Sequence, residues 1–346
     1  MPPINRCETN NLAKVNIIHF QMTKEELKIV FLGTPEFAVT SLDRIVGAGY
    51  NVVGVVTMPD KLAGRGHHIF QSPVKKYAVE HGLKLLQPAN LKAPEFVDEL
   101  RALDADLFVV IAFRMLPEVV WQMPRLGTFN LHASLLPKYR GAAPINWAVI
   151  NGERETGVTT FFLKHEIDTG DIIDRESIVI NDDDNVGDVH DRLMELGAEL
   201  TVKTIDSIIA GTLKTTPQAE LTNGIEPTPA PKIFRDTCHI DWSRSAAEVH
   251  NLVRGLSPYP CAWTTIGGSV SAPTDIKVYT TKISESSDLT PGQVEIGNGT
   301  ITVGCGTGAI EILDLQPTGK KRMATADFLR GARLVSPYIP EFQLKQ

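Results

Sequence analysis

The chain has 346 residues, 42% of them hydrophobic and 22% charged, with a formal net charge of −7. That length exceeds one ordinary core and fits about two domains. The acidic balance excludes a protein that coats nucleic acid non-specifically, while leaving room for a local basic patch.

No apolar run approaches the ~20 residues that span a bilayer, and the N-terminus lacks the layout of a secretory signal. The four cysteines, Cys7, Cys238, Cys261 and Cys305, form no CxxC pair. A reducing cytoplasm, with neither a disulfide scaffold nor a metal site, is therefore the expectation.

Residues 1–27 show no clear period and read as a flexible extension. Lys28–Gly33 reads as a buried strand. Thr34 is placed to cap the following helix, with Pro35 at its first position and Glu36 in its first turn. Gly47 and Gly49 end that helix, and Asn51–Thr57 is the next strand. This βαβ unit predicts a parallel sheet with a right-handed crossover.

Met58–Phe70 is glycine-rich and basic and reads as a mobile surface loop. The alternation then resumes: a helix over Pro73–His81, a strand over Leu83–Leu86, a helix over Pro94–Leu103, an apolar strand over Leu107–Phe113 and a strand leading into Asn130. Strands over Gly157–Leu163 and Ile172–Ile180 finish the sheet. Val186–Ala210 reads as a helix with a break at Gly197. The fold class expected for residues 28–210 is α/β, a Rossmann-like, mostly parallel sheet.

Residues 211–232 carry Thr215, Thr216, Pro217, Pro227, Pro229 and Pro231 and read as an extended linker. Beyond it, Ser245-Ala-Ala-Glu248 is a capping box opening a helix to about Leu256. Short β-like runs follow, punctuated by Gly297-Asn-Gly299 and by Gly304–Gly308, with a last helix over Ala324–Gly331. Residues 233–346 are therefore expected to form a smaller, OB-like β-barrel of about five strands.

In an open α/β sheet, ligands bind beyond the carboxyl ends of the strands. Two polar clusters fall there. Asn130 and His132 stand two apart at a strand end, so both face one side. His165-Glu-Ile-Asp168-Thr-Gly-Asp171 is a turn between strands, with Asp as its cap and Gly supplying a positive φ. Taken singly, each is ordinary structure. Together, a histidine, an amide and a carboxylate can build an acid–base site. GxxxxGK[ST] and GxGxxG are both absent, which excludes a P-loop and disfavours a nicotinamide or flavin site.

The motifs occur in a telling order: Phe31-Leu-Gly-Thr-Pro-Glu-Phe-Ala38, Pro59-Asp60, Ala63-Gly-Arg-Gly66, Ser72-Pro-Val-Lys75, Asn130-x-His132-x-Ser134-Leu-Leu-Pro-x-x-Arg140-Gly-Ala-Ala-Pro-Ile145 and Asp168-Thr-Gly-Asp171. Ile240-Asp-Trp-Ser243 and Gln316-Pro-Thr-Gly-Lys-Lys321 extend the pattern. From Lys28 onward the chain resembles the methionyl-tRNA formyltransferases. The resemblance implies 10-formyltetrahydrofolate as donor, the amine of initiator methionyl-tRNA as acceptor, and no metal. It implies catalytic roles for Asn130, His132 and Asp168, with Asp168 orienting His132. It also implies a folate pocket lined by Ser134, Leu135, Leu136 and Pro137.

Phe113 and Arg114 lie where many members carry a Tyr-Gly loop at that pocket, so Arg114 either approaches the carrier or caps a loop. For tRNA, the resemblance points to Arg65 and Lys61 in the basic loop, and to Lys320, Lys321 and Arg322 in the second domain. A monomer, without membrane contact, is implied.

Formyltransferases acting on glycinamide ribonucleotide or an amino sugar would use the same three residues. The purine enzymes lack a second domain, and Gly64-Arg-Gly66 fits the sugar enzymes less well. A non-catalytic RNA- or folate-binding protein would not require all three polar residues.

Overall fold

The computed structural model describes residues 22–63, 68–222, 224, 226–269, 273–284, 288–332 and 334–343. Arg65, expected to contact tRNA, and most of the N-terminal extension lie outside them.

The first half keeps the predicted alternation: β1 (Lys28–Gly33), α1 (Glu36–Gly47), β2 (Asn51–Val56), β3 (Lys61–Ala63), β4 (His68–Phe70), α2 (Pro73–Glu80), β5 (Leu85–Leu86), α3 (Pro94–Arg101), β6 (Leu107–Ile111), α4 (Glu118–Trp121) and β7 (Thr128–His132), with β3, β4 and α4 in addition to it. β8 (Arg140–Gly141), α5 (Pro144–Ile150), β9 (Glu155–Phe162), β10 (Ile172–Val179) and α6 (Val186–Ile209) complete it. The sheet order is β5-β2-β1-β6-β7-β9-β10. Pairing is parallel from β5 to β7 and antiparallel from β7 to β10.

Strand alternation sorts the core into two layers. Ile29 and Phe31 of β1, Leu107, Val109 and Ile111 of β6, and Phe129 and Leu131 of β7 pack with α1 and α6. Val30, Leu32, Phe108 and Val110 pack against α3 and α4 on the opposite face. Because Phe129 and Leu131 point to the first layer, Asn130 and His132 are left on the second.

Three expectations need correction. Pro35, not Thr34, is the N-cap of α1, and the Thr34 hydroxyl is buried with no partner among the described residues. Gly197 does not break α6: it is buried, and a Cβ there would stand 2.7 Å from a Leu131 methyl, so glycine serves close helix–sheet packing. Met58–Phe70 contains an ordered element, the antiparallel β3–β4 hairpin, with Ile69 and Phe70 exposed.

The presumed linker is also ordered where described. It holds a short 3₁₀ turn at Gln218–Leu221 and β11 (Pro229–Ala230), which pairs with β8.

The second half contains α7 (Ala246–Leu256), β12 (Ala262–Ser269), β13 (Thr274–Ser284), β14 (Val294–Ile296), β15 (Ile301–Gly304), β16 (Ala309–Pro317), β17 (Met323–Ala324), α8 (Thr325–Gly331) and β18 (Leu334–Tyr338). Ser245 and Glu248 form the expected capping box of α7. The antiparallel path is β14-β15-β16-β13-β12-β18, with β17 on β16. A bridge from Gln293 to Tyr338 brings the two ends together, making a nearly closed barrel. The short β17 and β18 exceed the predicted strand count because neither carries a clear alternation.

Trp242 is wholly buried in this core and donates its Nε1–H to Thr264 Oγ1 at 3.0 Å. α5 and α7 join the two halves: Asn146 donates to the Gly255 carbonyl at 2.8 Å, and a Cβ on Gly255 would crowd Ile150.

Candidate active site

Asn130 and His132 end β7, where the parallel part of the sheet meets its antiparallel edge. Asn130 is partly accessible, and its amide makes no hydrogen bond among the described residues. His132 is 7% exposed. Its Nε2 lies 2.9 Å from the Tyr139 carbonyl. A carbonyl only accepts, so Nε2 carries the proton, and in the neutral ring Nδ1 is the free lone pair. The ring also meets Phe161 edge-on, with centroids 6.5 Å apart.

Asp168 Oδ2 stands 3.9 Å from His132 Nδ1, within ion-pair range but beyond a direct hydrogen bond. The same oxygen accepts the Gly141 N–H at 3.0 Å. His132 and Asp168 thus face each other, with Asn130 two residues before His132 on the same strand. His165 and Glu166 of the same turn are exposed.

The turn itself is built differently from its reading. The positive φ, 54°, belongs to Asp168, and Gly170 is not among the positive-φ residues. Glycine is required at 170 because a Cβ would overlap the Phe162 carbonyl.

The Ser134–Pro137 segment, expected to line the folate pocket, is mostly enclosed. Ser134, Leu136 and Pro137 are buried; only Leu135 is partly accessible. Ser134 donates to the Lys138 carbonyl at 2.7 Å. Thr159 pins the segment by donating to the Ser134 carbonyl at 2.6 Å and accepting the Leu136 N–H at 3.1 Å. Leu136 is spent in a small cluster with Phe161 and Ile172.

Arg114 resolves as a loop cap. It donates to the Ala89 carbonyl at 2.9 Å and to the Pro88 carbonyl, beside the Phe113 ring. Arg322 is likewise committed: its guanidinium pairs with Asp314 and covers the Tyr279 ring at 4.4 Å. Lys320 and Lys321 are exposed, as is Lys61, and none of the three has an ion pair among the described residues.

Two arrangements escaped the sequence reading. Asp60 accepts from Lys75 at 2.5 Å and from Gln87 at 3.0 Å, which brackets the base of the β3–β4 hairpin. The hydrogen bond from Lys75 holds the Asp60 carboxyl below its usual value. Gln218 is 3% exposed and bonded to Arg140, Asp168 and Gly170. A lone glutamine in a proline-rich stretch gives no sequence signal.

A cavity of about 460 Å³ adjoins the Asp168 turn, lined in part by Arg140, Lys164, Thr169, Asp171 and Gln218. A roomier one, about 730 Å³, lies between the two halves around Arg254 and His250, away from the three catalytic candidates. The polar constellation, rather than cavity size, marks the site. Among the described residues no helix is long and apolar enough to cross a membrane.

Comparison with known proteins covers both halves of the chain. Residues 27–205 match the model of the formyl transferase family, and residues 232–333 match that of the formyl transferase C-terminal domain. A methionyl-tRNA formyltransferase of Bacteroides fragilis is 54% identical over 92% of this chain and 98% of its own. That of Phocaeicola vulgatus is 56% identical over 90% of this chain and 98% of its own.

An N-formyltransferase from Helicobacter canadensis, solved with folinic acid and dTDP-3-aminofucose, has a similar fold, with a TM-score of 0.62 at 22% identity. It covers 86% of this chain and all of its own. Identity at this level over 92% of the chain, spanning both matched regions, shows that the chain belongs to the methionyl-tRNA formyltransferase family.

Proposed function

We propose that the chain transfers the formyl group of 10-formyltetrahydrofolate to the α-amine of methionine on initiator tRNA, as a cytoplasmic monomer, with Asn130, His132 and Asp168 as the catalytic residues. The observation that carries the catalytic assignment is an Asn130 amide with no partner among the described residues, two positions before a histidine whose Nδ1 faces a carboxylate.

The amine attacks the formyl carbon, a C–N bond forms, and the carbonyl oxygen takes up negative charge. Asn130 donates an N–H to that oxygen. His132, tied through Nε2 to Tyr139, keeps Nδ1 for the proton. It accepts the proton lost by the attacking amine and returns it to the folate nitrogen as the old C–N bond breaks. Asp168 stabilises the ring while it is charged. No covalent link to the protein is needed. Of Ser134–Pro137, Leu135 alone is accessible enough to touch the carrier.

The β3–β4 hairpin is the element we assign to the tRNA acceptor stem. Exposed Lys61 supplies charge, and Ile69 and Phe70, 64% and 57% exposed, supply an apolar edge suited to base contact. Lys320 and Lys321 supply a second phosphate contact.

One assay tests the activity. Purified protein is given the formyl donor with charged initiator tRNA, glycinamide ribonucleotide or an amino-sugar nucleotide. Formylmethionyl-tRNA should be the dominant product. Preferential formylation of either small amine would overturn the assignment. Light scattering on the eluted protein tests the monomer.

A further inference from the structure

Gln218 lies in the segment joining the two halves, yet its side chain is wired into the turn that carries Asp168. Its Oε1 accepts from Arg140 Nε at 3.0 Å and Nη2 at 2.7 Å. Its Nε2 donates to the carbonyls of Asp168 and Gly170, both at 2.8 Å. Both N–H groups and both acceptor positions of one primary amide are therefore used, in a side chain that is almost wholly buried.

The two ends of that amide reach the two halves of the site. Arg140 precedes Gly141, whose N–H holds the Asp168 carboxylate. Asp168 and Gly170 are the turn itself, and Asp168 sits at φ 54°, a left-handed conformation that aspartate tolerates without preferring. Such a residue stays in place when its surroundings over-determine it. Here the surroundings are the Gly141 N–H on the carboxylate and the Gln218 amide on the backbone. An acceptor at one end and two donors at the other are required, and only an amide offers both at this length.

We propose that Gln218 is a positioning residue for formyl transfer: it locks the Asp168–Gly170 turn against Arg140, so the carboxylate stays opposite His132, and it makes the interdomain segment part of the active site. This rests on the catalytic reading of Asn130, His132 and Asp168.

The test uses the full-length enzyme. Gln218→Glu keeps the shape and the acceptor for Arg140 but replaces both donors with oxygen facing two carbonyls. Gln218→Met removes all four bonds at similar volume. Melting curves and circular dichroism identify the folded variants, and Gln218→Asn, too short to span both sides, stands in for any that fails to fold. Steady-state rates are then measured with charged initiator tRNA and the formyl donor.

The expected result is a kcat lowered by roughly tenfold or more in a folded variant, with both KM values within about twofold of the parent. A kcat within about twofold of the parent in folded Gln218→Glu overturns the proposal. A raised KM at unchanged kcat also overturns it, since that would make Gln218 a substrate-binding group. Asp168→Asn is assayed alongside. If it is inactive while Gln218→Glu is normal, only the role of Gln218 falls. If Asp168→Asn turns over normally, the catalytic reading itself falls, and the proposal with it.

Discussion

The Asp168 carboxylate takes its hydrogen bond from the backbone N–H of Gly141, at 3.0 Å, and not from His132, whose Nδ1 stands 3.9 Å away. The carboxylate is thus anchored by the backbone whatever the protonation state of the imidazole. A fixed negative charge beside a ring nitrogen is the arrangement the proposed proton relay needs.

Removing either partner should stop the relay without unfolding the chain. His132→Ala and Asp168→Asn are expected to lower kcat by roughly 10²–10⁴-fold. Melting temperature and circular dichroism should remain near those of the parent. Near-normal turnover in either variant would remove that residue from the mechanism.

Asn130→Ala separates charge stabilisation from proton transfer. The amide has no other partner among the described residues, so its loss leaves none of them unsatisfied. We expect kcat to fall by roughly 10²–10³-fold, the usual cost of one oxyanion donor. Stability should change little, and a full pH–rate profile should keep its shape because no titrating group is touched.

Gly170→Ala probes the turn through sterics alone. The new methyl would overlap the Phe162 carbonyl, so the backbone must move. A destabilisation of about 1–3 kcal/mol is expected from the overpacking, together with a fall in kcat as Asp168 shifts. Chemical denaturation and single-turnover rates on the same preparation would check both. Equal stability and activity would show that the turn yields freely.

The hairpin base should show a pH signature. The Lys75 hydrogen bond lowers the Asp60 pKa in the folded state, so between the folded and unfolded values the unfolded chain binds more protons. The stabilisation is present above the unfolded value, about 3.9, and fades as pH falls through the lower folded one. The melting temperature of Lys75→Met should lie below the parent at neutral pH and converge with it in acid. A gap that persists undiminished in acid would assign the effect to packing.

Phosphate contact predicts a salt response. Affinity for tRNA should decline with rising salt, and Lys320→Ala and Lys321→Ala should each reduce the log–log slope by about one. Arg322→Ala should leave the slope nearly unchanged, because that guanidinium already pairs with Asp314. Filter binding over a range of potassium chloride concentrations measures this directly.

Much of the architecture was legible in local pattern. Ile29–Leu32 and Leu107–Ile111 are unbroken apolar runs and lie in central strands. Ser245 and Glu248 announced α7 through their spacing. Asn130 and His132 could be placed on one face by strand period alone. These features depend on neighbours within a few residues, which is the range over which sequence speaks for itself.

What tertiary structure alone decided depends on contacts between distant segments. Gly197 and Gly170 look like a helix breaker and a turn residue, yet each is glycine because another part of the chain, Leu131 or the Phe162 carbonyl, leaves no room for a Cβ. Arg114 and Arg322 look like free cations until Pro88, Ala89 and Asp314 neutralise or cap them. Gln218 joins the site from 50 residues beyond Asp168. Hydrogen-bond satisfaction and close packing are settled only when the whole chain is folded, so no local pattern could announce them.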